Sequence, residues 1–144
     1  MTSEKRRLLA RSQMADASAA LLSATSRLAT ALRFESVRLT SESPIAATQL
    51  TDGSLTIEFL YGPSGFHVEM FLSHHRHPNS RLSLSDLIQY PPIAAWLTSH
   101  RLQLPEGIES EVGLFGELLS GPCAEAFTAP DSFFNRFRPN ARND

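Results

Sequence analysis

The amino-acid sequence predicts an α+β fold in which an antiparallel meander sheet of three to four strands packs against a long N-terminal helix and several C-terminal helices. Three observations carry this expectation. Residues 55–61 and 66–73 alternate with period two around the turn Gly62-Pro63-Ser64-Gly65, the mark of half-buried strands. Asp52-Gly53 supplies a hairpin turn just before them. Helical spacing with recognisable starts and stops dominates residues 4–33 and the chain after residue 83. No crossover helix separates the strands, which disfavours a parallel sheet, because parallel neighbours need a long connection.

The elements follow in order. Residues 4–33 place Leu8, Met14, Leu21, Leu22, Leu28 and Leu32 on one stripe, with Ala, Ser and Thr between them, so a helix with a small-residue face can lie close to a sheet. Residues 34–40 are an extended piece that can join the sheet at an edge. Residues 45–51 form a strand that runs into Asp52-Gly53, and residues 54–61 return. If Tyr61 faces Phe66, then Phe59 faces Val68, Ile57 faces Met70, and Glu58 faces Glu69 on the outer side. Residues 74–81 read as a polar loop. A helix then opens at Ser83 or Ser85, Pro91-Pro92 breaks it, and Pro92 suits the first position of the next, with Ile93, Trp96 and Leu97 inward. Pro105 starts a third helix with Ile108, Val112, Phe115, Leu118 and Leu119 on its buried stripe, and Gly121-Pro122 stops it. A last helical signal at residues 128–131 precedes Phe133, Phe134 and Phe137, which are expected to pack onto the domain.

At 144 residues, 42% hydrophobic and 19% charged, the chain fits one α+β domain spanning residues 1–144, with residues 1–5 and 139–144 frayed. Cys123 is the single cysteine, so no internal disulfide or thiolate cluster is possible. With no signal-peptide core or membrane-length apolar run, the expected location is the cytoplasm. The Arg- and Ser-rich start is similar to a transit peptide, but Glu4 and Asp16 interrupt that pattern. The net charge of −2 conceals a division. Residues 1–40 carry seven Lys/Arg against three acids, whereas residues 41–127 carry ten acids against Arg76, Arg81 and Arg101. An acidic middle discourages nucleic acid and suits a basic protein partner.

The candidate site is the outer face of the hairpin. Glu58, His67 and Glu69 share it with Leu60 and Phe71, an apolar centre with charged neighbours such as protein interfaces carry. The alternative is that a helix covers this face and makes Leu60 and Phe71 core. The run His74-His75-Arg76-His77 adds His75 and His77 as partner-contacting candidates. Its spacing does not suit a metal site, because adjacent strand residues point to opposite sides and no HExxH pattern follows. Ser64 lacks a nucleophile elbow and no phosphate-binding loop is present. No cofactor is expected.

The stretch Thr51-Asp52-Gly53-Ser54-Leu55-Thr56-Ile57-Glu58-Phe59 inside an antiparallel meander, followed by Leu82-Ser83-Leu84-Ser85-Asp86-Leu87-Ile88 and terminal helices, resembles small bacterial immunity proteins of polymorphic toxin systems. The resemblance covers residues 34–119 and carries no site residue with it. It implies a non-catalytic cytoplasmic protein, monomer or homodimer, that neutralises a cognate toxin by binding it. Two other classes are open at this point. One is a type III secretion chaperone that binds an effector segment as a homodimer; the other is a small hydrolase or transferase using Glu58, His67 and Glu69.

Overall fold

A computed structural model describes residues 2–34, 36–39, 46–62, 67–101 and 107–137. Helix α1 (Ser3–Leu32) begins where the Thr2 hydroxyl accepts the Lys5 N–H at 3.1 Å. That bond takes up a donor that no helical carbonyl can reach. Residues 3–5 are thus the first helical turn. Leu21, Ala24, Thr25 and Ala29 are buried, and Leu28 and Leu32 pack partly against the core, so the small-residue face does lie inward. The side chains of Leu8 and Met14 fall outside the described residues. Arg33 closes the helix in the left-handed conformation (φ 62°). Phe34 then donates its N–H back to the Ala29 carbonyl at 2.8 Å and buries its ring against Phe127.

Five strands follow, β1 (Ser36–Leu39), β2 (Ala46–Thr51), β3 (Leu55–Tyr61), β4 (Val68–His74) and β5 (His77–Leu82), and they lie in that order in one antiparallel sheet. The sheet is one strand larger than the upper expectation. The added strand is β5, where the sequence pattern predicts a polar loop. Its residues give no apolar alternation and include Pro78 and Asn79, which a sheet tolerates at an edge, where half of the backbone groups face away from any partner. The β2–β3 turn is a hairpin as expected, though longer than two residues. Asp52 Oδ1 accepts the N–H of Ser54 and of Leu55, each at 2.8 Å, and Gly53 sits at φ 95°, where a Cβ is strained.

The β3–β4 register differs from the expectation by two residues. Tyr61 pairs with Val68, Phe59 with Met70, Glu58 with Phe71, and Leu60 with Glu69. A shift of two preserves the face of every side chain but changes its neighbours. Six residues, 62–67, separate the paired positions, so the turn is longer than the four residues from which the register was inferred; Phe66 lies outside the described residues.

Helices α2 (Leu84–Leu87), α3 (Pro91–Arg101), α4 (Ile108–Ser120), α5 (Glu125–Thr128) and α6 (Pro130–Arg136) complete the fold. Ser83 and Asp86 form a reciprocal capping box on α2. Pro91, one residue before the expected Pro92, opens α3. Helix α4 starts at Ile108 and not at Pro105, which lies outside the described residues together with Glu106, as does the expected frayed end 139–144. Ile57, Phe59, Val68, Met70, Ile93, Leu97, Val112, Phe115, Leu118, Leu119, Phe133 and Phe134 are all buried. Trp96 is only half-buried and stacks on His100 at 3.8 Å, which corrects its expected place in the core. Phe59 meets Phe115 at 6.0 Å and Phe134 lies beside His74 and His77, so α4 and α6 both cover the same sheet face.

Two buried threonines differ in one respect. Thr25 donates its hydroxyl to the Leu21 carbonyl at 2.7 Å, the bond a helix offers from one turn earlier. Thr48, fully buried on the core face of β2, has no partner for Oγ1 among the described residues. An unsatisfied buried hydroxyl costs about 1–3 kcal/mol. Thr48→Val, nearly equal in volume, is therefore expected to stabilise the fold by about 1 kcal/mol, read as a higher urea midpoint at unchanged slope; an unchanged or lower midpoint would contradict it.

Candidate functional site

Period-two alternation sends Thr56, Glu58 and Leu60 of β3 and Glu69, Phe71 and Ser73 of β4 to the face opposite the helices. The described side chains there are half-buried or exposed, apart from Ala47 beside Leu60, which is buried. Leu60 and Phe71 are thus not core residues. The register builds a row across the sheet, Arg38–Gln49–Glu58–Phe71. Arg38 donates to Gln49 Oε1 from Nε and Nη2, at 3.2 and 2.9 Å. At the far end Arg81, from β5, reaches across β4. Its guanidinium lies 3.7 Å from the centre of the Phe71 ring and Nη2 donates to Glu58 Oε1.

This corrects the expected clash of Glu58 with Glu69. The two are diagonal neighbours, and Glu58 already has a cation on it. The face carries both signs, Arg38 and Arg81 with Glu58 and Glu69, so its rim is mixed and not acidic. Glu69 stands opposite Leu60, exposed, with no ion-pair partner among the described residues. Arg81 carries no local site signal, because the polar composition of β5 does not mark it as a strand.

His67 is not gathered into this patch. It precedes β4, and its Nδ1 lies 3.6 Å from Glu111 of α4, whose Oε1 also accepts the Val68 N–H at 3.0 Å. Glu58, His67 and Glu69 therefore turn to different neighbours and do not converge on a common point, which leaves that trio without the geometry of acid–base catalysis.

His75 and His77 belong to a second cluster, at the sheet end marked by the β2–β3 turn. His74 and His77 face each other across the β4–β5 hairpin. His75, exposed at its tip, stacks on His74 at 4.9 Å. His77 stacks on Phe134 at 5.5 Å and donates Nε2–H to Asp131 Oδ1 at 2.8 Å. Arg76 Nε reaches the same carboxylate oxygen at 3.3 Å. These bonds, that from His77 foremost, hold the Asp131 carboxyl below its ordinary range. Asp131 lies 54 residues beyond His77, and no local pattern in the sequence joins them. Among the described residues no group of three or more His, Cys, Asp and Glu is arranged to hold a metal ion. Cys123 is fully buried, and burial pushes its thiol up to about 12, which makes it a poor nucleophile.

His74 is buried and its Nδ1 accepts the Arg76 N–H at 3.1 Å, so that nitrogen is unprotonated. Burial first, then the charge of Arg76 and the neighbouring His75 and His77, hold its pKa below the ordinary 6.5; Asp131 pulls the other way. Between the folded and unfolded values the unfolded chain binds more protons, so this contribution to stability is full above 6.5 and declines as pH falls from there toward the folded value. His74→Phe is expected to flatten that decline in urea midpoints taken at pH 7.5 and 5.5. An equal decline in the parent and the variant would contradict the assignment.

No family model, curated protein or solved structure matches the chain. Among the described residues, no helix is long and apolar enough to cross a membrane.

Proposed function

We propose that the chain is a non-catalytic binding protein of the immunity type, which neutralises a cognate protein toxin in the cytoplasm by covering it with the outer face of the sheet. The observation that carries this reading is the outer face of the sheet, where Leu60 and Phe71 stand half-buried between Glu58, Glu69 and Arg81. An apolar centre with a charged rim is the anatomy of a protein interface. Glu69, exposed and with no ion-pair partner among the described residues, offers its carboxylate to a basic partner, and the reading needs no catalytic set.

The test is co-expression with the products of the genes that flank this chain's own, taken as toxin candidates. Restored growth, together with one species at the summed mass by light scattering, is the expected result. A chain that neither restores growth nor forms a complex would overturn the reading.

A further inference from the structure

We infer that Arg81 holds, in the free protein, the place that a partner's arginine takes in the complex, and that the segment recognised is an extended Arg-X-Arg stretch of the partner. This rests on the outer face being the interface, as proposed above. The chain itself displays the recognition chemistry. The Arg81 guanidinium carbon lies over the Phe71 ring, 3.7 Å from its centre, while Nη2 donates to Glu58, a cation–π and hydrogen-bonding combination that guanidinium meets better than an ammonium group. Yet the Arg81 side chain is 53% exposed, so water competes for both contacts and the arm can be exchanged at small cost.

The spacing of the carboxylates defines the partner further. Glu58 pairs with Phe71, and Glu69 lies two residues before Phe71 on the same face, so the two acids are diagonal neighbours, roughly 7–8 Å apart on an antiparallel ladder. Alternate residues of an extended chain are roughly 6.5–7 Å apart and share a face. One arginine of an Arg-X-Arg segment then lies on Phe71 and Glu58 after Arg81 swings out, and the second meets Glu69 over Leu60. Arg38 does not compete for these carboxylates, because its guanidinium is held by Gln49. Once Arg81 leaves, both acids are available to the partner's cations, and the charge of the face complements the incoming segment.

The test uses the full chain, isotopically labelled, titrated with the peptide acetyl-Gly-Arg-Ser-Arg-Gly-amide. Arg81→Ala is expected to bind this peptide about fivefold more tightly than the parent, as release from an exposed ion pair allows, with the largest shifts at Glu58, Leu60, Glu69 and Phe71. Adding Glu58→Gln should remove the gain. A peptide with lysines in place of both arginines, and one with two residues between its arginines, should bind more weakly. Arg81→Thr, whose short β-branched side chain suits a strand and likewise leaves the Phe71 ring uncovered, serves the same role should the alanine variant fold poorly. Equal affinity of parent and Arg81 variants, or equal binding of the lysine peptide, would overturn the inference. Growth rescue reports separately on the interface: rescue without a gain from the Arg81 variants refutes the arginine exchange alone, whereas loss of rescue and complex in the parent refutes the underlying reading.

Discussion

Phe59→Ala is expected to cost about 3–5 kcal/mol, a large share of the roughly 5–15 kcal/mol that holds a domain together. Phe59 is fully buried in the central strand β3, opposite Met70, with its ring 6.0 Å from Phe115 of α4. The residue therefore joins the sheet to the helical layer, and neither layer can close the space left by a missing ring without moving the other. The urea midpoint should fall steeply at unchanged slope, as expected for loss of stability without a change in the surface exposed on unfolding. A midpoint equal to the parent's would mean that Phe59 is not the centre of the core.

Phe134→Ala is expected to be comparably large, about 3–5 kcal/mol, but different in kind. Phe134 is fully buried, in contact with Phe133 at 5.4 Å, His74 at 5.8 Å and His77 at 5.5 Å. It belongs to α6, one of the last described elements, which the Asp131 bonds to His77 and Arg76 also tie to the β4–β5 hairpin. Removing the ring should free α6 and β5 before the rest of the sheet opens. Hydrogen exchange is the suitable measurement, because it resolves local opening from global unfolding. Faster exchange confined to α6 and β5 is the expected result, and uniform acceleration across β2 and β3 would show that the C-terminal helix is part of the central cooperative unit.

The face of each central strand was legible in the sequence, because alternation of Ile57, Phe59 and Tyr61 with Thr56, Glu58 and Leu60 has only one half-buried solution. Register was not. It depends on the number of unpaired residues in the turn, and Gly62-Pro63-Ser64-Gly65 marks a turn without stating where pairing resumes. The same error made Glu58 and Glu69 opposite, when Glu58 faces Phe71. Edge strand β5 was hidden for another reason. Its outward residues are polar and it contains a proline, so it looks like loop at the level of composition. Arg81, whose contact with Glu58 decides the charge of the outer face, lies on this strand. The histidine cluster shows a third kind of loss. His75 and His77 are close in the chain, but what organises His77 is Asp131 and Phe134 from α6, a long-range contact that no local pattern encodes.

The central claim is that the outer face of the sheet, and not the histidine end, meets the partner. Calorimetry of the toxin candidate against two variants tests it most directly. Phe71→Ala with Glu69→Lys removes an aromatic anchor and reverses the one carboxylate of the face that has no ion pair among the described residues. Arg76→Ala with His75→Ala alters the exposed hairpin tip. Glu69 is chosen over Glu58 because replacing Glu58 by a cation would also break its contact with Arg81. The expected result is an affinity loss of about 2 kcal/mol or more, roughly thirty-fold, for the first variant, and an affinity near the parent's for the second. Unchanged affinity in the first and a large loss in the second would place the interface at the histidine end and contradict the account.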